Sequence, residues 1–249
     1  MDTVPFGAFF VLFILLFGLI ALISIANAKR KDAREAELKD LARRRGLNFL
    51  PAGMQVKGSG FSLFGTPANN GPVAEFCDFF PLFKRGSAKK IAPALVGRDP
   101  SGTYWYVFDY QFEISDDDST TTYRYSVVVA MVPLDLPPLT LSPETTSDRV
   151  GKFLGARELE VESEEFNRRY FIGTTDHKRA LDLLHPATIE MLLSQPVLEW
   201  QMTGPFVMLH LPETLSASEM EGMMGLIKQF LDKIPAYYRQ DNSYAQTKS

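Results

Sequence analysis

"TYWYVFDYQFEI", Thr103 to Ile114, followed after "SDDDST" by "TTYRYSVVVAMV", Thr121 to Val132, decides how the body of this chain folds. Tyr104, Tyr106, Phe108, Tyr110, Phe112 and Ile114 alternate with Trp105, Val107, Asp109, Gln111 and Glu113. That period of two places one set on each face of a strand, and the aromatic set is expected to be core. Tyr123, Tyr125, Val127, Val129 and Met131 resume the pattern on a common face. Two such runs separated by a short polar break predict a long antiparallel hairpin with Asp116-Asp117-Asp118 as a solvated turn.

Working outward, Phe61–Phe64, Val73–Phe80 and Ile91–Val96 read as shorter strands between Gly, Pro and Asn turns, which predicts an antiparallel meander. After the hairpin, "PLDLPPLTLSPE", Pro133 to Glu144, is too rich in proline for a central strand. It is expected to run extended at an edge or over the surface. Beyond Ser147 the elements alternate: a short helix near Asp148–Leu154, a strand at Glu158–Glu162, a turn or helix at Ser163–Asn167, and a strand at Arg169–Gly173. Asp176 caps a helix and Pro186 opens another that reaches Leu193. Val197–Thr203 and Phe206–Leu211 read as a hairpin around Gly204-Pro205. Met220, Met223, Met224, Ile227, Leu231 and Ile234 recur at helical spacing behind a capping box, Ser216 with Glu219 or Ser218 with Glu221. The fold class is therefore α+β: an antiparallel-sheet-rich domain with helices mainly in its C-terminal half.

At the other end, Phe6 to Ala26 carries no charge over about 21 residues, a helix of roughly 30 Å, the thickness of a bilayer's hydrocarbon core. Ala26-Asn27-Ala28 resembles a signal-peptidase site, but the run is too long and lacks a basic leader. Lys29, Arg30, Lys31 and Arg34 follow it, so the body is expected in the cytoplasm of a plasma-membrane protein with its N-terminus outside. Lys29 to Arg45 holds about 8 basic against 4 acidic residues, with i,i+4 pairs, and reads as a solvated helical stalk whose charge fixes topology. The alternative reading has Arg43-Arg44-Arg45 and the earlier collar, Lys29, Arg30, Lys31 and Arg34, gripping anionic lipid headgroups. The expected organisation is an anchor over 1–28, a basic juxtamembrane helix over 29–46, one domain over 47–240, and a polar tail over 241–249.

The body from Gly46 onward is acidic, which removes nucleic acid as a partner. Cys77 is the single cysteine, so neither an intramolecular disulfide nor a cysteine-based zinc site can form, and its place between Phe76 and Phe79 predicts burial. His177, His185 and His210 show no metal-ligand spacing, and no phosphate loop, dinucleotide fingerprint or nucleophile elbow occurs. No metal or cofactor is expected. Asp109 and Glu113 share a strand face about 13 Å apart, too far to act together on one bond.

The runs "YVFDYQFEI" (106–114), "VPLDLPPLTLSPE" (132–144) and "EFNRRYFIGTTDHKRALDLLHPATIEMLL" (165–193) resemble an uncharacterised bacterial family of single-pass membrane-anchored proteins with an α+β soluble domain. The resemblance implies a membrane location and supplies no catalytic residues. The expected function is a non-catalytic cytoplasmic interaction domain, with the lipid bilayer and a protein as partners. The alternative is an enzyme or small-ligand sensor whose site gathers sequence-distant residues such as Asp109, Arg124 and His210.

Overall fold

In the computed structural model, residues 6–51, 53–54, 75–143 and 157–243 are described, with side chains in the first helix at Leu19, Leu22 and from Ser24 onward. The chain opens with one unbroken helix, α1 (Phe6–Arg45), closed by Gly46 in the left-handed region at φ +69°. Among the described residues no helix is long and apolar enough to cross a membrane. The expected span, Phe6 to Ala26, has its backbone in α1 but most of its side chains outside the described residues.

Among the described residues seven strands form one antiparallel sheet: β1 (Asn48–Leu50), β2 (Ser87–Arg98), β3 (Tyr104–Asp116), β4 (Ser119–Pro143), β5 (Arg157–Glu158), β6 (Tyr170–Thr174) and β7 (Glu199–Leu211). Their order is β1-β2-β3-β4-β6-β5, with β7 paired to the other edge of β4. The expected hairpin is present, β3 pairing β4 from Tyr104↔Met131 to Asp116↔Ser119. Both of its faces are buried over much of its length, because Trp105 and Val107 also enter a core.

The expectation for Pro133–Glu144 is overturned. Pro133 to Pro143 is the second arm of β4, paired with β6 on one side and β7 on the other. Its register with β7 shifts between Met131 and Leu136 and again between Leu136 and Leu139. Pro133, Pro137 and Pro138 fall within those irregularities, where no ladder hydrogen bond is required of their nitrogens. Val73–Phe80 also differs: its described part is a 3-10 turn, Glu75–Asp78, followed by a second, Pro81–Lys84. Phe76, Phe80 and Phe83 recur every three or four residues and all point into the core, a helical spacing that outweighs the strand-like composition. Phe61–Phe64 and Asp148–Leu154 lie outside the described residues.

The helical half follows its local signals. Ser163 caps α2 (Glu164–Arg169), Asp176 caps α3 (His177–Leu183), and Pro186 opens α4 (Pro186–Leu193). Arg169 reaches over to donate to the carbonyls of Leu193 and Gln195 at the α4 C-terminus. Ser216 and Glu219 form the capping box of α5 (Ala217–Lys233), whose methionines are buried. A short helix, α6 (Ala236–Asp241), continues past Pro235 and buries Tyr238. Among the described residues, the C-terminal part of α1 and the helices α2 to α6 lie on one face of the sheet around a core that includes Trp105, Trp200, Phe166 and Phe230. The aromatic 3-10 turns fill the other face, where Phe76 meets the rings of Phe83, Tyr106, Phe108 and Phe206.

Candidate functional site

Two places combine charged or buried polar groups. The first is the junction of α1 with the body. Leu38, Leu41 and Ala42 are at most 2% exposed and belong to the main core, so the C-terminal third of α1 is not the solvated stalk that its charge pattern predicts. The three lie at i, i+3 and i+4, a stripe narrow enough to be hidden among the charges. Arg34 donates through Nη1 and Nη2 to the Asp109 carboxylate at 2.7 and 2.9 Å, and through Nε to the Leu215 carbonyl at 2.8 Å. Ser126 Oγ donates to the same carboxylate and accepts from the Leu215 N–H. Farther along, Arg44 and Arg45 both hold Glu221 on α5. Partial burial opposes ionisation of Glu221, but Arg45 and then Arg44 outweigh it and keep the carboxyl below its ordinary range. Lys29, Arg30 and Lys31 are exposed upstream.

The second place is the concave face of the sheet. Glu199 and His210 stand 11 positions apart in β7, about 36 Å along a straight strand. Yet His210 Nε2 lies 3.3 Å from Glu199 Oε1 and 3.4 Å from Gln201 Nε2, which itself donates to Glu199 at 2.7 Å. The strand is therefore sharply folded. Gly204, at φ +53°, and Pro205 form the corner, and both arms pair with β4 rather than with each other. The expected two-stranded hairpin is thus one bent strand following an equally bent partner.

Tyr125 packs edge-on to His210 at 5.6 Å, and its hydroxyl is 3.5 Å from Arg85, which lies over the Phe112 ring. Burial disfavours the Glu199 carboxylate, but the hydrogen bond and charge of His210, then Gln201 and Arg85, hold its pKa below the ordinary value. His210 Nδ1, Gln201 Oε1 and Ser142 Oγ are buried without a hydrogen-bond partner. Gln201 also lines a cavity of about 70 Å³ with Thr140, Thr203, Leu139, Met202 and the half-exposed Phe79. A space of that size takes water or a small uncharged group.

The three candidates for a gathered site do not converge. Asp109 and Arg124 stand on the helix-covered face, Asp109 opposite Ser126 and Arg124 opposite Gln111, and Asp109 is occupied by Arg34. His210 stands on the concave face with Met208 and Phe206. The sheet separates Asp109 and Arg124 from His210. Glu199, Gln201 and Arg85 gather around His210 without any spacing signal, since the fold in β7 brings them there. Cys77 is buried, His185 sits at the N-cap of α4 with Nε2 2.8 Å from the Lys233 carbonyl, and His177 is exposed. Among the described residues no group of three or more potential ligands could hold a metal ion.

No family model matches the chain, and no curated protein matches it. Among solved structures, the fold is similar to the crystal structure of the mycobacterial trehalose monomycolate transport factor A, TtfA. The TM-score is 0.54 at 9% sequence identity, over 80% of this chain and 93% of the other. The likeness is one of fold.

Proposed function

We propose that the chain is a single-pass membrane protein whose body is a non-catalytic interaction domain held in fixed orientation on the cytoplasmic side of the bilayer. The observation that carries this reading is α1 itself. One helix bears the uncharged Phe6–Ala26 run at its start and is built into the hydrophobic core at Leu38, Leu41 and Ala42. A flexible tether would only raise local concentration, whereas a helix clamped at Arg34, Arg44 and Arg45 also fixes which surface faces a neighbour in the membrane. The basic residues after the run supply the orientation. The neighbour in fold is a transport factor, a role that binding without chemistry can fill. The test is flotation of the full chain with phosphatidylcholine vesicles and resistance to alkaline extraction. A cysteine added at the C-terminus should resist an impermeant reagent in intact cells, and ready labelling there overturns the topology.

A second reading, a small-ligand sensor, rests on the unpartnered atoms of Gln201, His210 and Ser142 around the concave cleft. Small neutral alcohols and amides that raise Tm in wild type but not in Gln201→Leu would favour it, and equal response in both would exclude the cleft.

A further inference from the structure

Only part of the basic collar is used by the fold. Arg34 is consumed by Asp109, whereas Arg30 and Lys31 are exposed and lie one helical turn upstream on the same side. What stands beneath them follows from how α1 crosses the sheet. Arg34 is fixed over Asp109, and Gly46 packs beside the Arg98 carbonyl, Arg98 being the strand partner of Tyr104. Twelve helical residues cover about 18 Å, and the five strand residues from Asp109 to Tyr104 cover about 17 Å. The helix therefore runs nearly antiparallel to β3 while drifting from β3 to β2. Followed back one turn, about 6 Å, it passes over the next cross-strand row and drifts toward β4.

That row is Lys90–Gln111–Arg124, three directly paired residues that share a face with Asp109. Lys90 and Arg124 are exposed and form no ion pair among the described residues. They flank Gln111 with their backbones about 10 Å apart, close enough for both long side chains to converge on one anion. Arg30 and Lys31 approach from α1. Asp109, two residues before Gln111, is already taken up by Arg34, and Glu113, two residues after it, and Asp32 on the helix are the remaining acids nearest in sequence, leaving the four basic residues with a cationic excess. Arg30 also lies only about 6 Å beyond the end of the apolar run, the depth of a headgroup layer.

We propose that Arg30 and Lys31 of α1 with Lys90 and Arg124 of the sheet form a composite site for the phosphate headgroup of an anionic phospholipid. The proposal rests on the membrane anchoring above. It requires the acidic ribbon tip, Asp116–Asp118, to diverge from α1 over roughly 14 Å beyond the last β2–β3 pair, Ser87↔Glu113, which suits the strong twist of a two-stranded ribbon. A site shared between helix and sheet differs from a collar that merely attracts negative charge, because sheet residues remote in sequence should matter as much as the collar.

Full-length protein would be reconstituted in vesicles of phosphatidylcholine, with and without a minority of phosphatidylglycerol, and retained lipid counted by native mass spectrometry. Wild type should float on both vesicles and retain phosphatidylglycerol selectively. In K90Q/R124Q that selectivity should fall by about 25-fold, at roughly fivefold per charge, with flotation unchanged. K178Q/K233Q, which removes two exposed charges elsewhere, should leave it unchanged. Equal retention in K90Q/R124Q and wild type overturns the site. Displacement of the lipid by millimolar inorganic phosphate overturns the lipid assignment in favour of a soluble phosphate ligand. Failure to float on pure phosphatidylcholine overturns the anchoring reading itself.

Discussion

Arg34→Ala should loosen the body from its helix, and the size of the effect can be worked from the contacts. The Arg34–Asp109 pair is bidentate, with side chains 22% and 19% exposed. Exposed pairs contribute about 0.2–1 kcal/mol, whereas breaking a buried one costs about 3–5 kcal/mol. Intermediate exposure places the loss near 2 kcal/mol. The hydrogen bond to the Leu215 carbonyl adds about 1 kcal/mol. A total of about 3 kcal/mol lowers Tm by roughly 6–12 °C for a body of this size. The assay is thermal unfolding of the full chain in detergent, followed by near-ultraviolet circular dichroism, in a double-mutant cycle with Asp109→Ala. The coupling energy should be about 1.5–2 kcal/mol. A coupling below about 0.5 kcal/mol would refute the reasoning, since the pair would then be no stronger than a solvent-screened surface contact and α1 would be held by its apolar stripe alone.

The Glu199 carboxyl lies below its ordinary value in the folded state, so its stabilising effect is complete above about pH 4.3 and is lost as pH falls through the folded-state value. Glu199→Gln should therefore flatten the acid limb of the stability curve, and identical limbs would count against the His210–Glu199 contact. Gly86→Ala and Gly204→Ala both force alanine to positive φ, at +58° and +53°. A Cβ at Gly86 would stand 2.4 Å from the Glu113 carbonyl oxygen, whereas at Gly204 nothing lies within 4 Å. The Gly204 variant should lose about 1–2 kcal/mol and the Gly86 variant clearly more by urea titration, and equal losses would contradict the close approach of backbones at Gly86. Burial, helped by the charge of Asp78 against that of Lys89, pushes the Cys77 thiol well above its ordinary pKa. A thiol reagent should modify it only at the rate of unfolding, and immediate native-state reaction would show the aromatic cover to be open.

The β3–β4 hairpin was legible because its alternation extends over a dozen residues in each strand and tolerates no other period. The cap at Asp176 was legible, and that of the last long helix was narrowed to Ser216 or Ser218, because each is a side chain satisfying its own helix's orphan amides three residues away. Pro133–Pro143 misled because proline is normally barred from a central strand, and only the register shifts against β7 reveal where its missing N–H groups are harmless. Phe76–Phe83 misled because aromatic, strand-favouring composition coincides there with a helical spacing. The candidate sites were less legible still. His210 was grouped with Asp109 and Arg124, but Glu199 and Gln201 reach it only across the corner at Gly204, and Arg34 meets Asp109 across 75 positions.

By itself the sequence determined what is local: an apolar run followed by positive charge, a long hairpin, helices with their caps, and a body without recognisable catalytic motifs. Each of these depends on interactions within a few residues, which spacing records directly. Tertiary structure alone decided that the C-terminal part of the stalk belongs to the core, that Asp109 is a clamp, and that Lys90 and Arg124 flank Gln111 on one sheet face. Those outcomes depend on the bends in β4 and β7 and on the line α1 takes across the sheet, and such geometry is fixed by the packing of distant segments rather than by periodicity in any one of them.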